Sequence, residues 1–197
     1  MEVKLLDCCQ DPLANIVTAA RNCFGNSNKQ CSYEDNVNLV KALIRNDHSP
    51  VEFAWSMWSI EGISRNCANQ LNRYRHTSQA QESMRYVDVS GNGFVYPVKA
   101  LEVSDACKDI VDTCFQFYNK LLKAGVPKED ARYFLPLGTE TNLKIAFNFR
   151  ELRHILKQRL DKHAQWEVRA VALKMFEIAN DKWSWLVDDI GKEYGLL

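Results

Sequence analysis

The period of hydrophobic and polar positions changes several times along the chain, and each change marks an element. Residues 3–6 read as a short first strand. Asp11-Pro12 then opens a helix, with Asp as the cap and Pro in the first turn. Leu13, Ile16, Val17 and Ala20 share one face, and the pattern ends near Phe24-Gly25. Ser32 starts a second helix with Val37, Val40 and Ile44 inward, and His48-Ser49-Pro50 breaks it. Residues 53–63 are dense in aromatics and alternate in part, which predicts a strand.

Helical spacing returns from Ser64 to about Tyr74, through Cys67 and Leu71. Residues 76–82 are polar and predict a loop; residues 84–89 read as extended. Gly91-Asn92-Gly93 is a turn, and residues 94–97 a short extended piece. Ser104 caps a long amphipathic helix through Ile110, Cys114, Phe117 and Leu121, stopped by Gly125. Pro127 begins a short helix whose first turn carries Glu129 and Asp130, where the helix dipole favours carboxylates. Residues 143–147 predict a strand, and residues 149–159 and 164–180 helices; the chain ends in an aromatic helix near Trp183 and Trp185. Several helices with a few strands that do not alternate with them give an α+β class, a small mixed or antiparallel sheet flanked by long helices. No repeat, linker or low-complexity tract divides it, so residues 1–197 read as one domain.

Composition narrows the function more than the fold. The 25 basic and 25 acidic side chains cancel, which argues against a partner that is a nucleic-acid polymer. There is no apolar run long enough for a membrane span, and residues 1–7 lack the long apolar run expected of a signal peptide. Seven scattered cysteines without a Cys-x-x-Cys pair fit a reducing, cytoplasmic setting. The four histidines have no metal-ligand spacing, so no metal site is expected. No P-loop, Rossmann glycine fingerprint or Gly-x-Ser-x-Gly occurs, so any nucleotide or flavin must be held by side chains.

Two arginine-bearing stretches carry candidate chemistry. Arg65, Arg73, Arg75 and Arg85 lie among small hydrogen-bonding side chains, and guanidinium forks suit phosphate oxygens. If residues 65–74 are helical, Arg65 and Arg73 fall on roughly one side, and Gln70 points with Arg73. If residues 83–85 are extended, Ser83 and Arg85 share a strand face. The second stretch is Asn148-Phe149-Arg150 with Arg153, His154 and Arg159 at helical spacing. Each stretch by itself reads more readily as a solvated charged face than as an anion site.

Taken together the two stretches resemble the flavin-dependent thymidylate synthases. That family's signature is Arg-His-Arg, seven residues, then Ser, usually followed by x-Arg-Tyr; here Arg73-Tyr74-Arg75, seven residues, then Ser83-Met84-Arg85-Tyr86 match it except at the middle position. Residues 125–137, 148–154 and 159–167 are similar to the family's downstream blocks, in the same order. The resemblance implies a methyltransferase, a homotetrameric flavoprotein with bound FAD and active sites built between subunits. It implies transfer of a methylene from methylenetetrahydrofolate to C5 of dUMP, giving dTMP, with hydride from reduced flavin and NADPH as reductant. It needs no cysteine nucleophile.

The resemblance also assigns residues. Gln70, Arg73, Gln81, Ser83, Met84, Arg85, Arg132 and Arg159 fall at dUMP-contacting positions. Arg73, Tyr74, Arg75, Gln81, Asn148, Arg150 and His154 fall at FAD-binding positions. Arg159 is the catalytic candidate: it corresponds to the arginine that favours the N3-ionised pyrimidine, as a cation beside an acidic N–H does. Glu129 is placed to orient Arg132.

Two departures stand out. Tyr74 replaces the signature histidine, and Pro50-Val51-Glu52-Phe53 puts Phe53 where the family has a second histidine near flavin and folate. Three readings remain: dUMP methylation; a related C5 modification such as hydroxymethylation; and a catalytically silent nucleotide- and flavin-binding homologue. An RNA-binding module is disfavoured by the zero net charge.

Overall fold

A computed structural model describes residues 1–104 and 106–197. Its strands are β1 (Glu2–Cys8), β2 (Trp55–Ser64), β3 (Thr77–Gln81) and β4 (Glu140–Asn148). They form one antiparallel sheet in the order β1-β2-β4-β3, and with the helices they make the α+β class expected. The helices are α1 (Pro12–Cys23), α2 (Tyr33–Arg45), α3 (Arg65–Leu71), α4 (Val98–Val103), α5 (Ala106–Lys123), α6 (Lys128–Ala131), α7 (Phe149–Arg159) and α8 (Trp166–Glu193). Among the described residues no helix is long and apolar enough to cross a membrane.

The chain groups into two compact units. The first holds Met1 and residues 61–73 and 80–143; the second holds residues 2–60, 74–79 and 144–197.

In the second unit the expected caps are present. Asp11 Oδ1 accepts from the Ala14 N–H at 2.9 Å, and Ser32 and Asp35 form a reciprocal capping box on α2. Ile16, Val17, Ala20 and Val40 are buried with Phe149, Leu152, Ile155 and Leu156 of α7. The two C-terminal helices expected from the pattern are both present within α8: they meet at a kink where Trp183 leaves helical φ/ψ, and its ring packs 4.6 Å from that of Phe149. Residues Ser49–Phe53 form a 3-10 turn, so Phe53 precedes β2 and is exposed, and is not a strand residue.

The first unit has its own small core of Met84, Val89, Tyr118 and Ala131, with Leu121, Leu122, Val126 and Leu135 against it. Gly125 adopts φ 84° just after α5, a left-handed stop that a side chain would strain. The inward face of α5 differs from the one the pattern indicated: Val111 and Tyr118 are buried, while Ile110 and Phe117 are exposed. Amphipathic spacing fixes which residues share a face but not which of two neighbouring faces meets the core.

Candidate nucleotide and flavin site

The residues singled out in the sequence divide between the two units. Gln70, Arg73, Gln81, Ser83, Met84, Arg85 and Arg132 belong to the first; Tyr74, Arg75, Asn148, Arg150, His154 and Arg159 belong to the second.

In the first unit, α3 begins under a Ser64 cap whose Oγ accepts from Cys67 N–H at 3.0 Å, and it stops at Leu71. Arg73 therefore lies beyond the helix that was expected to carry it beside Arg65 and Gln70, and it is exposed. Residues 77–81, read as loop, are strand β3. Its polar sequence offers no alternating apolar face, and it sits at the end of the strand order. The backbone ladder holds it there without burial. Residues 84–89, read as extended, begin in a turn closed by Tyr86 and Val87 N–H on the Ser83 carbonyl, at 3.1 and 2.9 Å. Ser83 and Arg85 therefore do not share a strand face; the Ser83 hydroxyl instead accepts from the Arg85 backbone at 3.3 Å. Met84 is buried in the core, so its side chain is occupied by packing.

Cationic groups gather around this turn. Arg85 Nε donates to Glu129 Oε2 at 2.8 Å, and Arg132 Nε donates to the Glu129 carbonyl at 3.1 Å. Glu129 thus does orient Arg132, but through its main chain, while its carboxylate serves Arg85. Gln81 is fixed by its neighbours: its Oε1 accepts from Asn72 at 2.9 Å and its Nε2 donates to Thr141 at 3.4 Å. Arg65, absent from the predicted contact positions, emerges here. Burial pulls its pKa down, and the positive field of Arg132 adds to that effect. Two guanidinium groups in each other's field favour an anion, although the field of Glu82 on Arg65 opposes this in part. The sequence signal was present, since Arg65 is one of the four clustered arginines, but spacing alone could not pair it with Arg132 across 67 positions.

The second unit holds a cavity of about 640 Å³ lined by Asn148, Arg150 and His154, together with Arg45, His48 and Lys157. Asn148 caps α7, its Oδ1 accepting from Glu151 N–H at 2.8 Å. Arg150 is held on one side by Asp47 and on the other by Glu52, whose Oε1 is 2.6 Å from its Nη1. These bonds raise the Arg150 pKa, Asp47 first and Glu52 second, and they hold the Asp47 carboxyl below the usual range. Arg153, which shares helical spacing with the others, is structural: it is buried and forks onto Asp189 at 2.7 and 2.6 Å. Arg75 is exposed and lines a neighbouring, more open hollow with Trp55 and His76.

Tyr74 and Arg159 are in contact. Arg159 Nε donates to the Tyr74 hydroxyl at 2.7 Å, and the guanidinium carbon sits 5.3 Å from the ring centroid. The same hydroxyl is 3.0 Å from Gln158 Oε1 and donates to it. His154 meets the tyrosine ring edge-on at 5.8 Å between centroids. Tyr74 is buried, which pushes its pKa up against the lowering influence of Arg159. Burial likewise pushes the Cys8 thiol up, away from an activated thiolate.

Comparison with known proteins identifies the family of the chain. The family model "Thymidylate synthase complementing protein" matches residues 4–183. A flavin-dependent thymidylate synthase of Haloarcula marismortui is 33% identical over 92% of this chain and 91% of its own length. Enzymes of the same name from Geobacter sulfurreducens and Thermococcus onnurineus are 36% and 34% identical, over 90% and 92% of this chain and 82% and 80% of their own.

Proposed function

The chain belongs to the thymidylate synthase complementing protein family, and from that membership we propose that it methylates C5 of dUMP to give dTMP, taking the methylene from methylenetetrahydrofolate and the reducing equivalents from NADPH. It is an enzyme of the methyltransferase class that depends on FAD. Residues 1–197 act as one functional domain, a reading supported by a chain that enters each compact unit more than once.

The residues suit the flavin. A diphosphate needs cations and donors, and the cavity of the second unit supplies Arg150, Arg45 and Lys157 with Asn148 and His154. Arg73, Tyr74, Arg75 and Gln81 complete the proposed flavin set. When bound, the flavin supplies the hydride that reduces the transferred methylene to methyl.

The chain's own residues do the rest. Arg85, Arg132, Arg73, Gln70 and Ser83 bind the phosphate and sugar of dUMP, with Gln81 and the backbone of Met84 beside them. Arg159 stabilises the pyrimidine ionised at N3. Negative charge placed there spreads into the ring and makes C5 the nucleophile toward the folate methylene, so no cysteine is required. The observation that carries this reading is the state of Arg159. Its Nε is bound within the protein, yet among the described residues its two terminal nitrogens have no hydrogen-bond partner.

A homotetramer is part of the same proposal. The exposed apolar Ile110, Phe117 and Phe134 of the first unit support it, as surface that a subunit contact would cover. A cytoplasmic setting is supported by seven free cysteines.

The test is product mass. The purified protein is checked for flavin absorbance, then incubated with dUMP, methylenetetrahydrofolate and NADPH. A nucleotide heavier by one methyl replacing hydrogen supports the proposal. An additional oxygen indicates hydroxymethylation, with water trapping the methylene adduct; Tyr74 and Phe53, at two family histidine positions, make that the second reading. Unchanged dUMP with flavin bound indicates a silent homologue, and failure to take up flavin on reconstitution overturns all three.

A further inference from the structure

We propose that Tyr74 is a positioning residue for Arg159, fixing the guanidinium by a hydroxyl anchor at Nε and an aromatic face beneath it. This rests on the reading of Arg159 as the group that acts on the pyrimidine.

The geometry makes a three-part clamp within one unit. Arg159 lies in the last turn of α7, where a long side chain has many rotamers to lose. The 2.7 Å bond to the Tyr74 hydroxyl fixes Nε, and the ring at 5.3 Å fixes the plane of the fork. The hydroxyl is itself held, because it donates to Gln158 Oε1 at 3.0 Å. His154 braces the ring at its edge, and the ring is buried. Rotation of the phenol is thereby restricted at both its polar tip and its apolar body.

A phenol performs this task differently from an imidazole. One oxygen accepts from Arg159 and donates to the adjacent Gln158. An imidazole divides accepting and donating between two nitrogens on different edges of the ring, so it could not bridge neighbouring side chains of one helix turn through one atom. The phenol at position 74 therefore anchors Arg159 through Nε, and among the described residues the two terminal nitrogens of Arg159 have no hydrogen-bond partner. Burial favours the protonated phenol, which is the form able to donate to Gln158. The charged and titratable groups around the phenol are Arg159, Glu151 and His154.

The test measures ionisation of the bound pyrimidine, a readout that a purely structural role would not move. FAD-loaded wild type, Tyr74→Phe, Gln158→Leu and Arg159→Ala are each titrated with dUMP across pH. Ultraviolet difference absorption reports N3 ionisation, and flavin content and melting temperature are recorded alongside. Tyr74→Phe keeps the ring and loses the anchor. It is expected to retain flavin and to hold about ten-fold less ionised nucleotide at a given pH, with kcat falling in step and KM for dUMP changing little. Gln158→Leu, at an exposed position, leaves the core intact and is expected to give a loss of about three-fold. Wild-type ionisation in these two variants, beside its loss in Arg159→Ala, overturns the positioning role and leaves the role of Arg159 standing. Wild-type ionisation in Arg159→Ala overturns the reading of Arg159 itself.

Discussion

Arg150 meets Asp47 through two parallel hydrogen bonds, Nε to Oδ1 at 3.1 Å and Nη2 to Oδ2 at 2.8 Å. Asp47 adopts φ 52°, a left-handed conformation uncommon outside glycine, just after the C-cap of α2. Its carboxylate is thus delivered to Arg150 from a constrained turn. With Glu52 on Nη1, three of the five guanidinium N–H groups are engaged, and among the described residues two are left for a ligand.

That arrangement makes Asp47 and Glu52 orienting groups for an anion-binding arginine. If Arg150 contacts the flavin diphosphate, Asp47→Ala is expected to weaken FAD binding by about ten-fold while costing less than about 1 kcal/mol of stability, because the pair is exposed. Flavin fluorescence titration together with thermal melting separates the two effects. Unchanged FAD affinity would show that the orientation of Arg150 is not used by the cofactor.

The helices around this site were legible in the sequence because their caps are local chemistry. Asp11 and Ser32, read as helix starts, each bond the backbone N–H three residues on; Ser64 and Asn148 do the same, although only the helical spacing after them marks those helices in the sequence. Strand β3 was not legible, since residues Thr77–Gln81 carry no apolar face and are paired by backbone alone. The turn at Ser83 was also missed: Tyr86 and Val87 close it on one carbonyl, and side-chain pattern says nothing of that bond. The candidate site residues were found by resemblance. Their partners were not, because Asp47 with Arg150 and Tyr74 with Arg159 are joined only by the tertiary fold.

Arg153 and Asp189 give an acid-sensitive link between α7 and α8. Burial pushes the Asp189 carboxyl up, but the fork from Arg153 outweighs it and holds the group below its ordinary value. A carboxyl depressed in the folded state contributes stability above its unfolded pKa, about 3.9, and loses that contribution as pH falls through the folded value. Asp189→Asn is expected to cost about 2 kcal/mol at neutral pH, less than for a fully buried pair because the carboxylate is half-exposed. Denaturant unfolding across pH should show the variant and wild type converging below about pH 4. A gap that persists in strong acid would mean that the charge of Asp189 is not what matters.

Arg65 lies in the positive field of Arg132, with Glu82 opposing it, so an anion taken up by these cations should stabilise the first unit. Inorganic phosphate is expected to raise the melting temperature of the wild type by a few degrees, equivalent to about 1–2 kcal/mol. The effect should shrink in Arg132→Ala and fade with added sodium chloride as the charges are screened. An equal rise in Arg132→Ala would place the phosphate elsewhere.

Arg159 is the residue on which the proposed chemistry turns. A cation that lowers the pKa of the pyrimidine N3 acts on the reacting ring, so its loss should appear in kcat before it appears in binding of the cofactor. Arg159→Ala is expected to reduce turnover of dUMP by about a hundred-fold or more, the usual scale for removing a charge-stabilising group. FAD content should stay near that of the wild type, since the groups proposed to hold the flavin, Arg150 and Asn148, belong to the opposite end of α7. Arg159→Lys keeps the charge but loses the Nε donor and the flat fork that lies over Tyr74. It should therefore recover only a small part of the rate, about a few per cent of wild type. Single-turnover measurements with flavin-loaded enzyme decide the matter, and full activity in Arg159→Ala would remove Arg159 from the chemistry.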